Sequence, residues 1–398
     1  MKLLFITPKI PFPPVDGHRK SMFGVIKYLS KLGHEIDIVA YKQNEDAKSA
    51  DGLREFARVF LLDVQTPNSV SGAVKNLLSR VPYNLWKYQN PKLTEFLQNY
   101  FAKNRTDVVQ IFNSHMGWIV GDLRRLTKAP IILRQENLEL SIMKKYFENQ
   151  SNPILKFYSY IQYKKFIKYE PDLCSKFDMC VMISQIDQRK LLEFDPKIKT
   201  AVIPLGVEEE LFNNQQTNTE SYTLFHIGSL SWYPNYDGIN WFLKKIFPSV
   251  VQKYPGSKLY LYGGGFLNKY YFDEKIKSCI VVKGFVEDIW PEVQNKLLAI
   301  VPLRIGSGIR VKIIELLAAG HNVISTSIGI EGLPLTDNEN IILADTGEEF
   351  INKIDLFFSG KYNSKQIGVN GRQVVRNNFS WSKIAGQFDD LYKTLITN

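Results

Sequence analysis

The stretch Val301-Pro-Leu-Arg-Ile-Gly-Ser-Gly-Ile-Arg-Val-Lys-Ile-Ile-Glu-Leu-Leu-Ala-Ala-Gly320 decides how the chain is read. Its apolar start, ending at Leu303, predicts a strand. Gly306, Ser307 and Gly308 predict a tight loop, and Ile309 to Ala319 a helix that Gly320 closes as its C-cap. A glycine loop feeding a helix offers unpaired backbone N–H groups, and the helix dipole adds partial positive charge. Arg304, Arg310 and Lys312 put three full positive charges around the same point, which suits a phosphate or diphosphate. One turn on, Glu315 stands among Ile313, Ile314, Leu316 and Leu317. A carboxylate buried there needs a partner, and a pair of sugar or ribose hydroxyls would serve. Lys312 and Glu315 are also three apart on one helix and could simply pair with each other, so the rest of the chain has to decide.

Working outward, 398 residues suffice for two domains with full cores. The 44% hydrophobic and 23% charged residues are those of a globular protein. No apolar run approaches the roughly 18 residues needed to span a bilayer. The N-terminal apolar run is broken by Pro8 and is too short for a secretory leader. Cys174, Cys180 and Cys279 form no metal or redox pattern and read as reduced core residues of a cytoplasmic protein. The net charge of +10 is uneven, since residues 1–205 hold 31 Lys and Arg against 20 Asp and Glu. The whole excess therefore lies in the first half, which suggests an anionic partner there.

The pattern along the chain is that of an α/β protein. Lys2–Thr7 reads as a strand, the proline-rich loop to Gly17 cannot be helical, and Arg19 to Leu32 reads as a helix. Glu35–Tyr41 completes a strand–helix–strand unit. Val108–Phe112, Ile131–Leu133 and Met179–Ile183 read as further strands. The sequence then restarts, with strands at Tyr222–Ile227, Lys258–Tyr262, Ile280–Lys283, Ala299–Pro302, Asn322–Thr326 and Ile341–Leu343, and a helix at Asp237–Tyr254 broken by Pro248. The expected division is an N-terminal domain over 1–205, a C-terminal domain over 206–378, and a last helix within 379–398 that crosses back to the first domain. Two doubly wound sheets bind ligands at the carboxyl ends of their strands, so a cleft between them is expected.

Together these residues resemble the glycosyltransferases of family 4, which have the GT-B fold of two Rossmann-like domains facing across a cleft. The likeness rests on Pro14-Val-Asp-Gly17, Leu133-Arg-Gln-Glu-Asn-Leu-Glu139 and Ile183-Ser-Gln-Ile-Asp187 in the first half. In the second it rests on Ile227-Gly-Ser-Leu-Ser-Trp-Tyr-Pro-Asn-Tyr-Asp-Gly238, Tyr262-Gly-Gly-Gly265, Gly284-Phe-Val-Glu-Asp288 and the Gly306 loop. The resemblance implies a nucleotide-sugar donor in the C-terminal domain, with Glu315 on the ribose hydroxyls and the Gly284–Asp288 loop, including Phe285 and Val286, against the base. Gly228, Trp232, Asn235, Gly263, Gly264, Arg304, Gly306, Ser307, Gly308 and Ile309 complete the expected donor site. Two departures stand out. Ser307 occupies the place of the first of the family's two glutamates, and the loop Ser229–Asn235 lacks its usual Arg and Lys. Arg304, Arg310 and Lys312 are expected to compensate.

The expected catalytic set is His115, Arg310, Lys312 and Glu315. Fixed cations and a helix N-terminus stabilise a leaving diphosphate without a metal, and there is no Asp-x-Asp pair. The expected chemistry therefore needs no metal and no cofactor, and the resemblance implies retention of configuration. Gly17, His18, Arg19, Glu136 and Asn137 are the expected acceptor-binding residues. Residues 143–169 interleave six lysines with eight Phe and Tyr, a mixture that suits an anionic membrane surface or a helix with a solvated lysine face. No nucleic-acid module is present, and no Gly-x-Gly-x-x-Gly follows the first strand for NAD. The function expected is hexose transfer to a surface-glycan acceptor carried on lipid, by a cytoplasmic protein peripheral to the membrane. A nucleotide-sugar epimerase of the same fold and a non-catalytic nucleotide-sugar-binding scaffold remain open beside it.

Overall fold

The computed structural model describes residues 1–43, 47–214, 216, 219–265, 270–271, 273–306 and 308–397. The chain forms two compact units, one of Met1–Gly206 with Trp381–Asn398 and one of Val207–Ser380.

The first unit is built on strands β1 (Lys2–Thr7), β2 (Glu35–Tyr41), β3 (Arg58–Leu62), β4 (Val108–Phe112), β5 (Ile131–Gln135), β6 (Met179–Met182) and β7 (Thr200–Val202). All pair in parallel in the order β3-β2-β1-β4-β5-β6-β7. Its central strands are buried along nearly their whole length because helices cover both faces, and a separate apolar cluster lies on each side. Two of these strands were not expected from sequence. β3 is an edge strand, half-buried and opening on a charged Arg58, and β7 is only three residues long.

The last helix, Trp381–Thr397, belongs to this unit. Trp381, Ile384, Phe388 and Tyr392 are buried in the cluster that also holds helix Gly17–Lys31. The Trp381 ring lies so close to Gly24 that a Cβ there would stand 2.0 Å from it. Tyr392 Oη donates to Gln110 Oε1 in β4 at 2.7 Å. Each such buried side chain contributes about 1.5–3 kcal/mol, so this helix is part of the core.

The second unit carries β8 (Glu220–Ile227), β9 (Lys258–Tyr262), β10 (Ile280–Gly284), β11 (Lys296–Val301), β12 (Asn322–Ser325) and β13 (Ile342–Leu343). The parallel order is β10-β9-β8-β11-β12-β13. The sheet is doubly wound, with the strand order reversing between β8 and β11, and β1 and β4 are the matching pair in the first unit. Such switch points leave a crevice at the carboxyl ends of the two strands. The long helix expected over Asp237–Tyr254 is two helices, Tyr233–Lys245 and Phe247–Lys253. Pro248 lies in the first turn of the second one, where proline's missing N–H costs nothing. Among the described residues no helix is long and apolar enough to cross a membrane.

Candidate active site

The β8/β11 switch point of the second unit collects most of the expected donor residues. Helix Val311–Ala318 follows β11 through the Gly306 loop. It starts two residues later than expected, with Arg310 extended at its N-cap. Gly320 ends it with φ +85°, and the N–H groups of Gly320 and His321 return to Leu317 and Leu316 carbonyls. That arrangement satisfies carbonyls which a helix end otherwise leaves unpaired.

The loops after β8, β9 and β10 stack on one another. Gly228 N donates to Tyr262 O at 2.9 Å and Gly263 N to Gly284 O at 2.7 Å. Gly263, at φ +142°, must be glycine twice over, because a Cβ there would lie 2.0 Å from the Gly228 carbonyl oxygen. Gly264 has only Phe285 near its Cβ direction. Phe285 and Trp232 expose their rings, whereas Val286 and Ile309 pack on the apolar cluster beneath.

Lys312 is the centre of this arrangement. Its Nζ donates to Asn235 Oδ1 at 2.8 Å and lies 3.5 Å from His226 Nε2. Asn235 is buried, and its Nδ2 donates to the Ser229 carbonyl at 2.8 Å. His226 Nδ1 lies 3.0 Å from the Ile300 carbonyl oxygen, which can only accept, so Nδ1 carries the proton and Nε2 offers a lone pair to the ammonium. Burial holds the imidazole well below its usual range, with Lys312 adding to the effect. Lys312 itself is lowered to about 7, by burial first and then by Arg310, with Glu315 opposing. A Cβ on Gly228 would stand 2.6 Å from Nζ, so the ammonium abuts bare backbone of the β8 loop. Arg310 is buried beside it, and burial lowers its guanidinium pKa against the pull of Glu331. Glu315 follows on the same helix and is partly buried.

Arg304 has a partner 67 residues away in the chain. Its guanidinium forms a bidentate pair with Asp237, at 3.0 and 2.7 Å, and stacks on Trp241. Of the three expected cations, Arg304 is thus the one paired with a carboxylate by hydrogen bonds. Ser307 lies outside the described residues. His226 was missed, because a histidine inside the apolar strand run Tyr222–Ile227 carries no local sign of its partner.

In the first unit the β1/β4 switch point holds the expected acceptor residues. Asp16 caps helix Gly17–Lys31 by accepting from Arg19 N at 2.9 Å. The Arg19 guanidinium bonds to Asp16 and to the Ile10 carbonyl, which gives it a capping role that the sequence reading did not assign. Nothing stands within 4 Å of a Cβ placed on Gly17, and Asn137 is exposed. Glu136 is buried and pushed up to about 8, by burial first, with Ser21 and Arg134 opposing. His18 is lowered to about 4, chiefly by burial, and its Nε2 lies 3.3 Å from Glu136 Oε2. At neutral pH this pair is a protonated acid beside a neutral imidazole.

His115 follows β4 in the turn Ser114–Ile119. Its Nδ1 donates to Asn113 Oδ1 in a short bond, and Asn113 adopts φ +74° to present that oxygen. Burial lowers His115 to about 3, helped by His18 and Lys87, so Nε2 is an acceptor at any working pH. Nearby, buried Glu170 accepts from the Glu139 and Leu140 N–H groups at 3.0 and 2.8 Å. It thereby ties off the start of helix Glu139–Asn149.

Two family models cover most of the chain between them. The one described as Glycosyltransferase Family 4 matches residues 15–211, and the one described as Glycosyl transferases group 1 matches residues 221–359. The uncharacterised 44.6 kDa protein in the cps region of Klebsiella pneumoniae is 22% identical over 98% of this chain and 99% of its own. Among solved structures, sucrose-phosphate synthase from Thermosynechococcus elongatus superposes with a TM-score of 0.72 at 17% identity, over 100% of both chains. Anabaena HepE in complex with UDP gives 0.68 at 14% identity, over 99% of this chain and 100% of its own. At such identities the structural likeness shows the fold, which is GT-B.

Proposed function

Because the chain belongs to the group 1, family 4 glycosyltransferases, we propose that it moves a hexose, with retention and without a metal, from a nucleotide sugar to a lipid-linked surface-glycan acceptor. The observation that carries this reading is Lys312, oriented by Asn235 and His226 at the β8/β11 switch point.

Breaking the bond between sugar and diphosphate builds negative charge on the leaving oxygens. Lys312, Arg310 and the N-terminal amides of helix Val311–Ala318 would meet that charge already oriented, which is where electrostatic catalysis is most effective. These groups stand in for the Arg and Lys missing from the Ser229–Asn235 loop. Glu315, one turn on, would take the ribose hydroxyls, and the exposed Phe285 would lie against the base. Gly264, with only Phe285 near its Cβ direction, leaves room for the ligand to approach backbone. On the acceptor side, the His115 Nε2 lone pair and the Glu136–His18 pair offer hydrogen bonds to sugar hydroxyls. The retaining route, implied by family resemblance, passes the acceptor proton to the leaving phosphate.

Structures of Anabaena HepE hold UDP and UDP-glucose, so uridine is the first base to test here. The cps-region relative supports a glycan pathway. The test is a thermal-shift panel of UDP, GDP, ADP and dTDP sugars, with and without EDTA, on the wild type and Glu315→Ala. A ligand at 100 times its Kd stabilises by about 2.7 kcal/mol. One nucleotide sugar should shift the wild type, not the variant, and EDTA should change nothing. No shift with any of them refutes the donor site.

A further inference from the structure

Among the described residues, 23 large hydrophobic side chains are exposed, and ten of them fall within residues 70–78 and 142–160. Val70 is 83% exposed, Leu78 96%, Ile154 79% and Phe157 68%. These values are extreme for a folded unit, because apolar surface of this density marks a missing partner. The two segments are joined by a polar clasp beneath the apolar surface. Gln162 Nε2 donates to Asn76 Oδ1 at 3.1 Å, Lys165 Nζ to the Asn76 carbonyl at 2.6 Å, and Tyr83 N to Gln162 Oε1 at 2.8 Å. Helix Val70–Asn76 is thereby fixed to helix Pro153–Cys174, so the exposed apolar side chains are held on ordered backbone.

The charge around them is one-sided. Residues 70–80 and 142–168 contain eight Lys and Arg, and Glu148 is the single acid. Protein–protein interfaces are depleted in lysine. Aliphatic and aromatic side chains set among lysines are what an anionic lipid headgroup layer accepts, with apolar groups entering the acyl boundary and ammonium groups reaching phosphates.

We propose that helices Val70–Asn76, Glu139–Asn149 and Pro153–Cys174 form a face that seats the first unit on an anionic lipid bilayer, with Leu78 and Phe157 entering it. This face extends the membrane contact expected from residues 143–169 to the separate segment 70–78. It gives the proposed lipid-linked acceptor a surface to arrive on, and rests on that reading for its purpose alone, since no donor residue belongs to it.

The experiment is co-sedimentation of the full chain with vesicles of 70:30 phosphatidylcholine:phosphatidylglycerol and of phosphatidylcholine alone. It compares the wild type with the double variant Leu78→Glu, Phe157→Glu. Both side chains are exposed, so the variant should fold, and an unchanged thermal unfolding curve without vesicles would report that both units are intact. The expected result is wild-type binding to the anionic vesicles, weakened by salt, and at least tenfold weaker binding by the variant. Absence of wild-type binding, equal binding by the variant, or a lipid-free wild-type dimer that the variant dissolves would each overturn the proposal. A wild type that binds vesicles but shows no nucleotide-sugar shift would overturn the donor reading and leave this face standing.

Discussion

Replacing Lys312 by methionine keeps the unbranched stem of the side chain and removes its charged end, and the consequences can be worked from the pKa. In the ligand-free site the ammonium is lowered to about 7 from an ordinary 10.5. At pH 8 a group of that pKa is about 90% neutral. A nucleotide sugar is a diphosphate diester with two negative charges and no titration of its own near neutrality. Its charge favours the ammonium form, so binding at pH 8 should draw in about 0.9 proton, and at pH 6 about 0.1. Affinity should fall close to tenfold per pH unit above pH 7, or about 1.4 kcal/mol per unit. Titration calorimetry of UDP-glucose in two buffers of different ionisation enthalpy reads the proton count directly. Lys312→Met should take up no proton at pH 8 and, at pH 6.5, bind more weakly by roughly 1.5–3 kcal/mol, the value of a hydrogen bond to a charged group. Its fold should not suffer. The folded-state pKa of Lys312 lies below its unfolded value, so the unfolded chain binds more protons between about pH 7 and the ordinary lysine range. Wild-type stability should therefore rise against the variant across that window. Equal proton uptake by wild type and variant would refute the reasoning.

Three other outcomes follow from the geometry. Glu136 is raised to about 8 from an ordinary 4.5, so its contribution to stability is complete below about pH 4.5 and is lost as pH rises through 8. The Tm of Glu136→Gln should accordingly gain on the wild type from pH 5 to pH 8, and a flat difference would contradict the burial argument. Gly263→Ala places a Cβ 2.0 Å from the Gly228 carbonyl oxygen at φ +142°; it should cost about 1–3 kcal/mol in denaturant unfolding and abolish the UDP-glucose shift. Arg304→Ala should change UDP-glucose affinity by less than about twofold, because Asp237 already holds the guanidinium. A larger loss would return Arg304 to the diphosphate.

The elements around Gly306 were legible because they depend on local chemistry. Glycines set the loop, an apolar run the strand and helix, and Gly320 the cap. The two parallel sheets were legible from the alternation of short apolar strands with helices. What escaped depends on pairing over distance. Arg304 stands beside the motif in sequence, but its partner Asp237 is 67 residues away, and spacing along the chain carries no trace of that pair. His226 faces Lys312 only because β8 lies next to β11. β3 and β7 were overlooked because an edge strand and a three-residue strand lack the apolar run that marks a buried one. Val70 lies on a helix too short to show a periodic face and Leu78 in the turn after it, so the apolar surface they share with Phe157 emerges only once Asn76 meets Gln162.

The central claim is transfer of a sugar with retention, and the most direct measurement is proton NMR of the reaction itself. The protein, the nucleotide sugar that shifts it and a lipid extract carrying glycan acceptors would be followed for free nucleoside diphosphate and for the new anomeric signal. The account predicts stoichiometric release of the diphosphate and a product with the donor's anomeric configuration. An inverted product, an epimerised donor without diphosphate release, or a donor that binds and is never consumed would contradict it.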